Sequence, residues 1–199
     1  MSKKLGSSYW KLWTATAISN LGDGVSMVAY PWLASAVTRS PILIAAAGFA
    51  SRLPWLIFTL HAGVLTDRFD RRKLIVAMDF MRGLLTVFVG FVVFFNKDSF
   101  PALDELATIT NLETNWQIYF TLLITAFLFG LAEVLRDNSA QTLMPSVVDK
   151  ENLEKANGRM WSAESLTNSF IGPPLGSLLL GIAIFIKFFF YAVSIFLAV

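Results

Sequence analysis

Five ionisable side chains, Asp23, Arg52, Asp79, Arg82 and Glu164, stand inside stretches that are otherwise almost free of charge. An ion in hydrocarbon is costly, so such groups face a partner or a wet cavity, and they suit proton carriage, ion pairing or gating. Asp23 lies about 11 residues into the first apolar run and Arg52 about 10 into the second, so each sits roughly 15 Å from its own end of the membrane. The two runs are antiparallel across a short turn, and Asp23 and Arg52 are expected to pair and to line a central cavity. Such a pair either opens on protonation or substrate contact, or only fixes helix register. Asp79 and Arg82, three residues apart on one helix face, neutralise each other and read as an anchor of the inner gate. Glu133, Arg136 and Asp137 read as solvated charges at the inner end of the fourth run. Glu164, one turn into the fifth, is expected to meet Arg159 or loop arginines in a gate or structural contact.

Bond-making chemistry finds no support. There is no phosphate-cradling glycine loop, no metal-ligand spacing and no nucleophile elbow, and His61 is the only histidine. Cysteine is absent, which removes disulfides and thiolate metal sites. A net charge of +2 lends nothing to nucleic-acid binding. No enzyme activity, metal or cofactor is expected.

The elements that must hold these charges are membrane spans. The 199 residues are 55% hydrophobic and 15% charged, against about 25% charged in soluble domains. A helix needs about 20 apolar residues to cross a bilayer. Six stretches qualify, approximately 12–37, 42–65, 74–95, 116–144, 156–182 and 183–199, with Pro145 the first firm stop of the fourth and Pro31 and Pro54 as kinks. No polar loop divides the last two, but a single helix over both would be about twice the membrane thickness, so the chain turns between Gly181 and Lys187. The first run is too long for a signal peptide and lacks a cleavage site. The sequence stops inside an apolar run, so a longer protein is expected, with about 200 further residues in another six spans.

Alternating the spans puts Lys3, Lys4, Lys11, Arg68, Arg71, Arg72, Lys73, Arg136, Lys150, Lys155 and Arg159 on one side and only Arg39, Lys97 and Lys187 on the other. Basic loops stay in the cytoplasm, so the amino terminus is expected inside an inner or plasma membrane.

The loop between runs two and three reads Gly63-Val64-Leu65-Thr66-Asp67-Arg68-Phe69-Asp70-Arg71-Arg72-Lys73. Gly63 permits close backbone approach, Asp67 is placed to cap the third helix, and the arginines offer paired donors to carboxylates. This loop resembles the signature of the major facilitator superfamily, Gly-x-Leu-x-Asp-Arg-x-Gly-Arg-Arg-Lys. Gly63, Leu65, Asp67, Arg68, Arg71, Arg72 and Lys73 match it, and Asp70 replaces the usual Gly, as in its drug and siderophore exporter branch. Asn20-Leu21-Gly22-Asp23-Gly24, Thr38-Arg39-Ser40-Pro41 and the stretch from Leu143-Met144-Pro145 to Ala156-Asn157-Gly158 are similar to the same branch. Gly172-Pro173-Pro174-Leu175-Gly176 resembles the Gly-Pro-x-x-Gly core of the antiporter signature, departing by its second proline and by Asn168 where a glycine is expected.

The resemblance implies an all-α membrane protein in which residues 1–199 form the amino-terminal six-helix half of a twelve-helix fold, with substrate bound between the halves. It implies proton-coupled efflux of a small amphipathic molecule, with the bilayer, protons and a second six-helix half as partners and the Asp67 loop as inner-gate lock. Helix packing would run through Gly172, Pro173 and Gly176. A lysophospholipid translocator and a non-transporting sensor or scaffold are the alternatives; a cavity lined by Asp23 and Arg52 favours transport.

Overall fold

A computed structural model describes residues 5–97, 100, 101, 109 and 111–182. The expected sixth span, 183–199, and most of the expected outer loop after Lys97 lie outside the described residues. Every regular element among them is helical.

Helix α1, Ser7–Val37, runs unbroken through Pro31 and stops where Thr38 turns extended and donates its N–H to the Ala34 carbonyl at 3.0 Å. The Thr38 hydroxyl accepts from the Ser40 N–H at 3.2 Å and Pro41 opens the next helix, where its fixed φ suits the first turn. The second run is interrupted, α2 Pro41–Ala50 being followed by α3 Leu53–Arg68, and the two together still make one span-length stretch. Pro54 is the cause: it cannot donate to the Ala50 carbonyl, and its ring crowds that group. The backbone tightens there to shorter bonds, Arg52 N to Phe49 O at 2.9 Å and Trp55 N to Arg52 O at 3.1 Å.

Helix α4, Arg71–Phe95, follows after two residues. Helix α5, Trp116–Val147, passes through Pro145, the expected stop. That proline lies in the last turn, where it costs one bond to the exposed Gln141 carbonyl. A short 3-10 turn, Lys150–Asn152, leads into α6, Leu153–Ser165. A π segment, Leu166–Ile171, joins α6 to α7, Gly172–Ile182. Pro173 and Pro174 cannot serve the carbonyls of Ser169 and Phe170, and Gly172 N–H reaches back five residues to Thr167.

Helix α5 packs on α1, α2, α3 and α4, while α1 carries α6, the π segment and α7 on its other side. Two apolar clusters close the bundle. One gathers Tyr9, Leu12, Ile75, Met144, Ala156 and Met160 at the end bearing the basic loops. The other gathers Leu33, Val37, Val89, Val93, Ile118 and Leu122 at the far end. Outside, Ile42, Leu56, Leu60 and Phe95 are strongly exposed, as lipid contact requires. Among the described residues three stretches are long and apolar enough to cross a membrane: Pro41–Arg68, Arg71–Phe95 and Trp116–Val147.

Candidate transport site

Between the two apolar clusters lies a layer of buried charge. Arg82 and Arg136 have no solvent exposure. Arg82 forms an ion pair with Asp23 and donates from Nη1 to Ser19 Oγ at 2.7 Å and to Asp79 Oδ1 at 3.2 Å. Ser19 in turn donates to Asp79 Oδ1 at 3.1 Å. The Arg82 guanidinium also stands 4.7 Å from the centre of the Phe129 ring, a cation–π contact that strengthens when water is excluded. Arg136 places Nε 3.5 Å from the same Asp79 oxygen and donates to Thr16 at 3.1 Å and Asp137 at 3.1 Å. One continuous network therefore ties α1, α4 and α5.

The pairing departs from expectation. Asp23 pairs with Arg82, not Arg52; Arg52 turns to Glu133, with Nη1 to Oε1 at 3.8 Å. Depth alone had favoured the α1–α3 pair, but Arg82 comes up from α4 at a similar level and is the fully buried partner. The expected Asp79–Arg82 pair is present, though within a network rather than alone. Glu133 and Arg136 are buried rather than solvated. Glu164, half-buried, has Asp137 and Arg136 as its electrostatic neighbours, while Arg159 stacks over Trp10 at 5.7 Å.

Asp23 and Arg52 nonetheless share a cavity of about 260 Å³, lined also by Ser26, Tyr30, Phe129 and Glu133. The broken turn at Ser51 and Arg52 forms one wall. Its backbone lies against α5 at Gly130, where a Cβ would fall 2.8 Å from the Ser51 carbonyl carbon. A second space of about 610 Å³ opens between α5 and α6 beside Gln141, Asn157, Trp161 and Glu164.

In the basic loop, Asp67 does not cap α4 as expected. It closes α3 and pairs with Arg71 at 3.1 Å. Asp70 is the cap, accepting from the N–H groups of Arg72 at 2.9 Å and Lys73 at 3.1 Å. The Lys73 N–H, with that of Arg72 and both positive side chains, holds the Asp70 carboxyl below its ordinary range. The residue that departs from the superfamily signature is thus the one the local geometry uses. Gly63 has open space around its missing Cβ, with no neighbour within 4 Å, so no close approach explains it among the described residues.

The α1–α7 seam is built from glycines. A Cβ on Gly24 would lie 2.8 Å from Gly172 Cα, and one on Gly176 would lie 3.2 Å from Val25 Cα. Small residues let helix backbones meet where side chains would hold them apart. Asn168, standing where the antiporter signature has glycine, donates to Asn20 Oδ1 at 3.3 Å.

The sequence profile of the transmembrane secretion effectors, exporters of the major facilitator superfamily, matches residues 6–199. The chain belongs to this family. The multidrug efflux pump Tap of Mycobacterium tuberculosis (strain ATCC 25618 / H37Rv) is 39% identical over 69 residues, which is 35% of this chain and 16% of the pump. Macrolide efflux protein A of Streptococcus pyogenes is 22% identical over 171 residues, 86% of this chain and 37% of that protein. The chain thus spans well under half the length of the curated relatives it matches. No solved structure matches it.

Several residues of this secretion-effector bundle escaped sequence reasoning. Thr16 and Ser19, two turns and one turn before Asp23, hold the two arginines, and Phe129 faces Arg82. Polar residues at 16, 19, 20 and 23 on an otherwise apolar helix were the available signal: that spacing is one helical face.

Proposed function

We propose that the chain is the amino-terminal half of a twelve-helix, proton-coupled carrier that exports a small amphipathic molecule by alternating access. Residues 183–199 would supply its sixth span, and the second half would close the substrate site. The amino terminus and the Asp67–Lys73 loop would face the cytoplasm, and the carrier would sit in the inner or plasma membrane.

The observation that carries this reading is a cavity holding Asp23, Arg52 and Glu133 and adjoining the Arg82–Asp79–Arg136 network. Its walls mix aromatic and apolar surface with a few charges, the make-up of a site for amphipathic molecules. The charges inside the helices also favour proton binding. Asp23, Asp79, Glu133, Asp137 and Glu164 provide five carboxyls against the three guanidiniums of Arg52, Arg82 and Arg136. Protonating Asp23 would remove its attraction for Arg82 and leave that arginine to Asp79 and Ser19. The ion pair between α1 and α4 would then be lost, leaving the existing pair within α4 and the Ser19 hydrogen bond. Substrate or proton at Asp23 would in this way alter how α1 is held, which is the differential contact a two-state carrier requires.

The test is proton-driven uptake of a fluorescent amphipathic cation into inverted vesicles containing the full-length protein. Asp23→Asn should insert normally and lose proton-driven accumulation at least tenfold, with counterflow retained. Undiminished accumulation would remove Asp23 from the pathway.

A further inference from the structure

A third cavity, of about 300 Å³, lies at the basic end of the bundle between the first turns of α1, the first turns of α4 and the last turns of α5. Its lining is graded. Lys11 and Arg72 stand at the rim, both exposed. One turn deeper on the same two helices come Ala15, Ile75 and Val76, with Leu143 of α5 opposite. Among the described residues no carboxylate lies within 4.0 Å of the Lys11 ammonium or the Arg72 guanidinium, although the Asp70 carboxyl accepts from the Arg72 backbone N–H. The surrounding loop is net positive, with Arg68, Arg71 and Lys73 outnumbering Asp67 and Asp70. The level is interfacial, since Tyr9, Trp10 and Trp13 form an aromatic cluster on the same turns of α1, as aromatic residues do at headgroup depth.

Two cations from different helices above an apolar slot match one ligand chemistry: a phosphodiester with an acyl chain attached. We infer that this groove binds an anionic phospholipid of the cytoplasmic leaflet, its phosphate between Lys11 and Arg72 and one chain along Ala15, Ile75 and Val76. The sidedness rests on the membrane orientation proposed above; the lipid selectivity does not. Bound there, the lipid joins α1, α4 and α5 at the end where the gate loop begins.

The test is lipid retention by native mass spectrometry on the purified full chain in detergent. Phosphatidylglycerol and phosphatidylcholine of identical acyl chains are titrated separately. Preferential retention of phosphatidylglycerol is expected. A basic side chain near the surface contributes on the order of fivefold, so Lys11→Gln with Arg72→Gln should weaken retention roughly twenty-five-fold. Lys150→Gln with Lys155→Gln, which removes the same charge from the same end, should change it less than about twofold by the same reasoning. Ala15→Leu, which fills the slot without changing charge, should also weaken retention. Equal retention of the two lipids would overturn the proposal, as would equal losses in the two charge doubles or full competition by glycerol phosphate alone. Cysteine labelling of sidedness tests the orientation independently, and the chain is already free of cysteine.

Discussion

Arg82→Met is the sharpest test of the buried layer. The substitution keeps much of the side-chain volume and removes a cation that lies against Asp23, Asp79, Ser19 and Phe129 with no access to solvent. Two carboxylates would be left buried, with only Arg136 near Asp79. Deleting one partner of a buried ion pair costs about 3–5 kcal/mol because the other charge is stranded. At roughly 2–4 °C per kcal/mol for a domain of this size, melting should fall by roughly 6–20 °C. Asp23→Asn alone should cost much less, since Arg82 keeps Asp79 and Ser19. Asp23→Asn should also recover part of the Arg82→Met deficit, because it removes one stranded charge. The four proteins form a double-mutant cycle, read by thermal unfolding in detergent with monodispersity checked by size exclusion. An unchanged melting temperature in Arg82→Met, or a deficit indifferent to Asp23→Asn, would refute the network as drawn.

Three further outcomes are expected. Asp70→Ala should fray the start of α4. The Asp70 carboxyl titrates below its ordinary value when folded, so its capping contribution is complete above about pH 4 and is lost as pH falls through the folded value. Protection of the Arg72 and Lys73 amides in hydrogen exchange should follow that curve in the parent and be flat in Asp70→Asn. Gly24→Ala should force α1 off α7, costing about 1–3 kcal/mol by overpacking, whereas Gly63→Ala, with nothing nearby, should leave melting unchanged or slightly raised. Asp67→Asn breaks an exposed pair worth at most about 1 kcal/mol. It should leave melting nearly intact, and a tenfold loss of vesicle transport would then belong to the gate.

Helix length and hydropathy fix where charges sit along a helix, and that much was legible. The mid-membrane depths of Asp23 and Arg52 suffice to place both on one cavity, whereas Arg82 and Glu133, expected nearer the inner end, join them there in the structure. Azimuth was not legible, since it depends on which helices are neighbours and on every irregularity before the residue in question. On sequence, Asp23 matches Arg52 on the adjoining run and Arg82 is left to Asp79, while in the structure Arg82 serves both carboxylates. Packing made that choice. The capping role failed for a different reason. Asp67 carried the family resemblance, but a cap must stand just before the first helical residue, and α3 runs on through Arg68. That leaves Asp70 as the only carboxylate at the boundary. Pro145 was misjudged because a proline near a helix end removes a single bond, far less than one in the interior.

The helix irregularities and the charges together decide which parts of the bundle can change shape. Separating α1 from α4, or α4 from α5, would strand Arg82, Arg136 or Asp79 in a dry interior at several kcal/mol for each ion. Shifting a two-state equilibrium from 1:99 to 99:1 takes about 5.5 kcal/mol, so breaking that layer would consume most of what a ligand can supply. No ion pair crosses the α1–α7 seam among the described residues; it holds Gly24, Gly172 and Gly176, and the adjoining π segment adds one amide bond from Asn168 to Asn20. The helix on that side already contains a π segment, whose bonding pattern can shift by one residue without exposing backbone to lipid. Helices α1, α4 and α5 are therefore tied together for as long as Asp23 keeps its charge. The α1–α7 seam carries none of these ion pairs, and its helical run also holds Glu164 beside the cavity between α5 and α6.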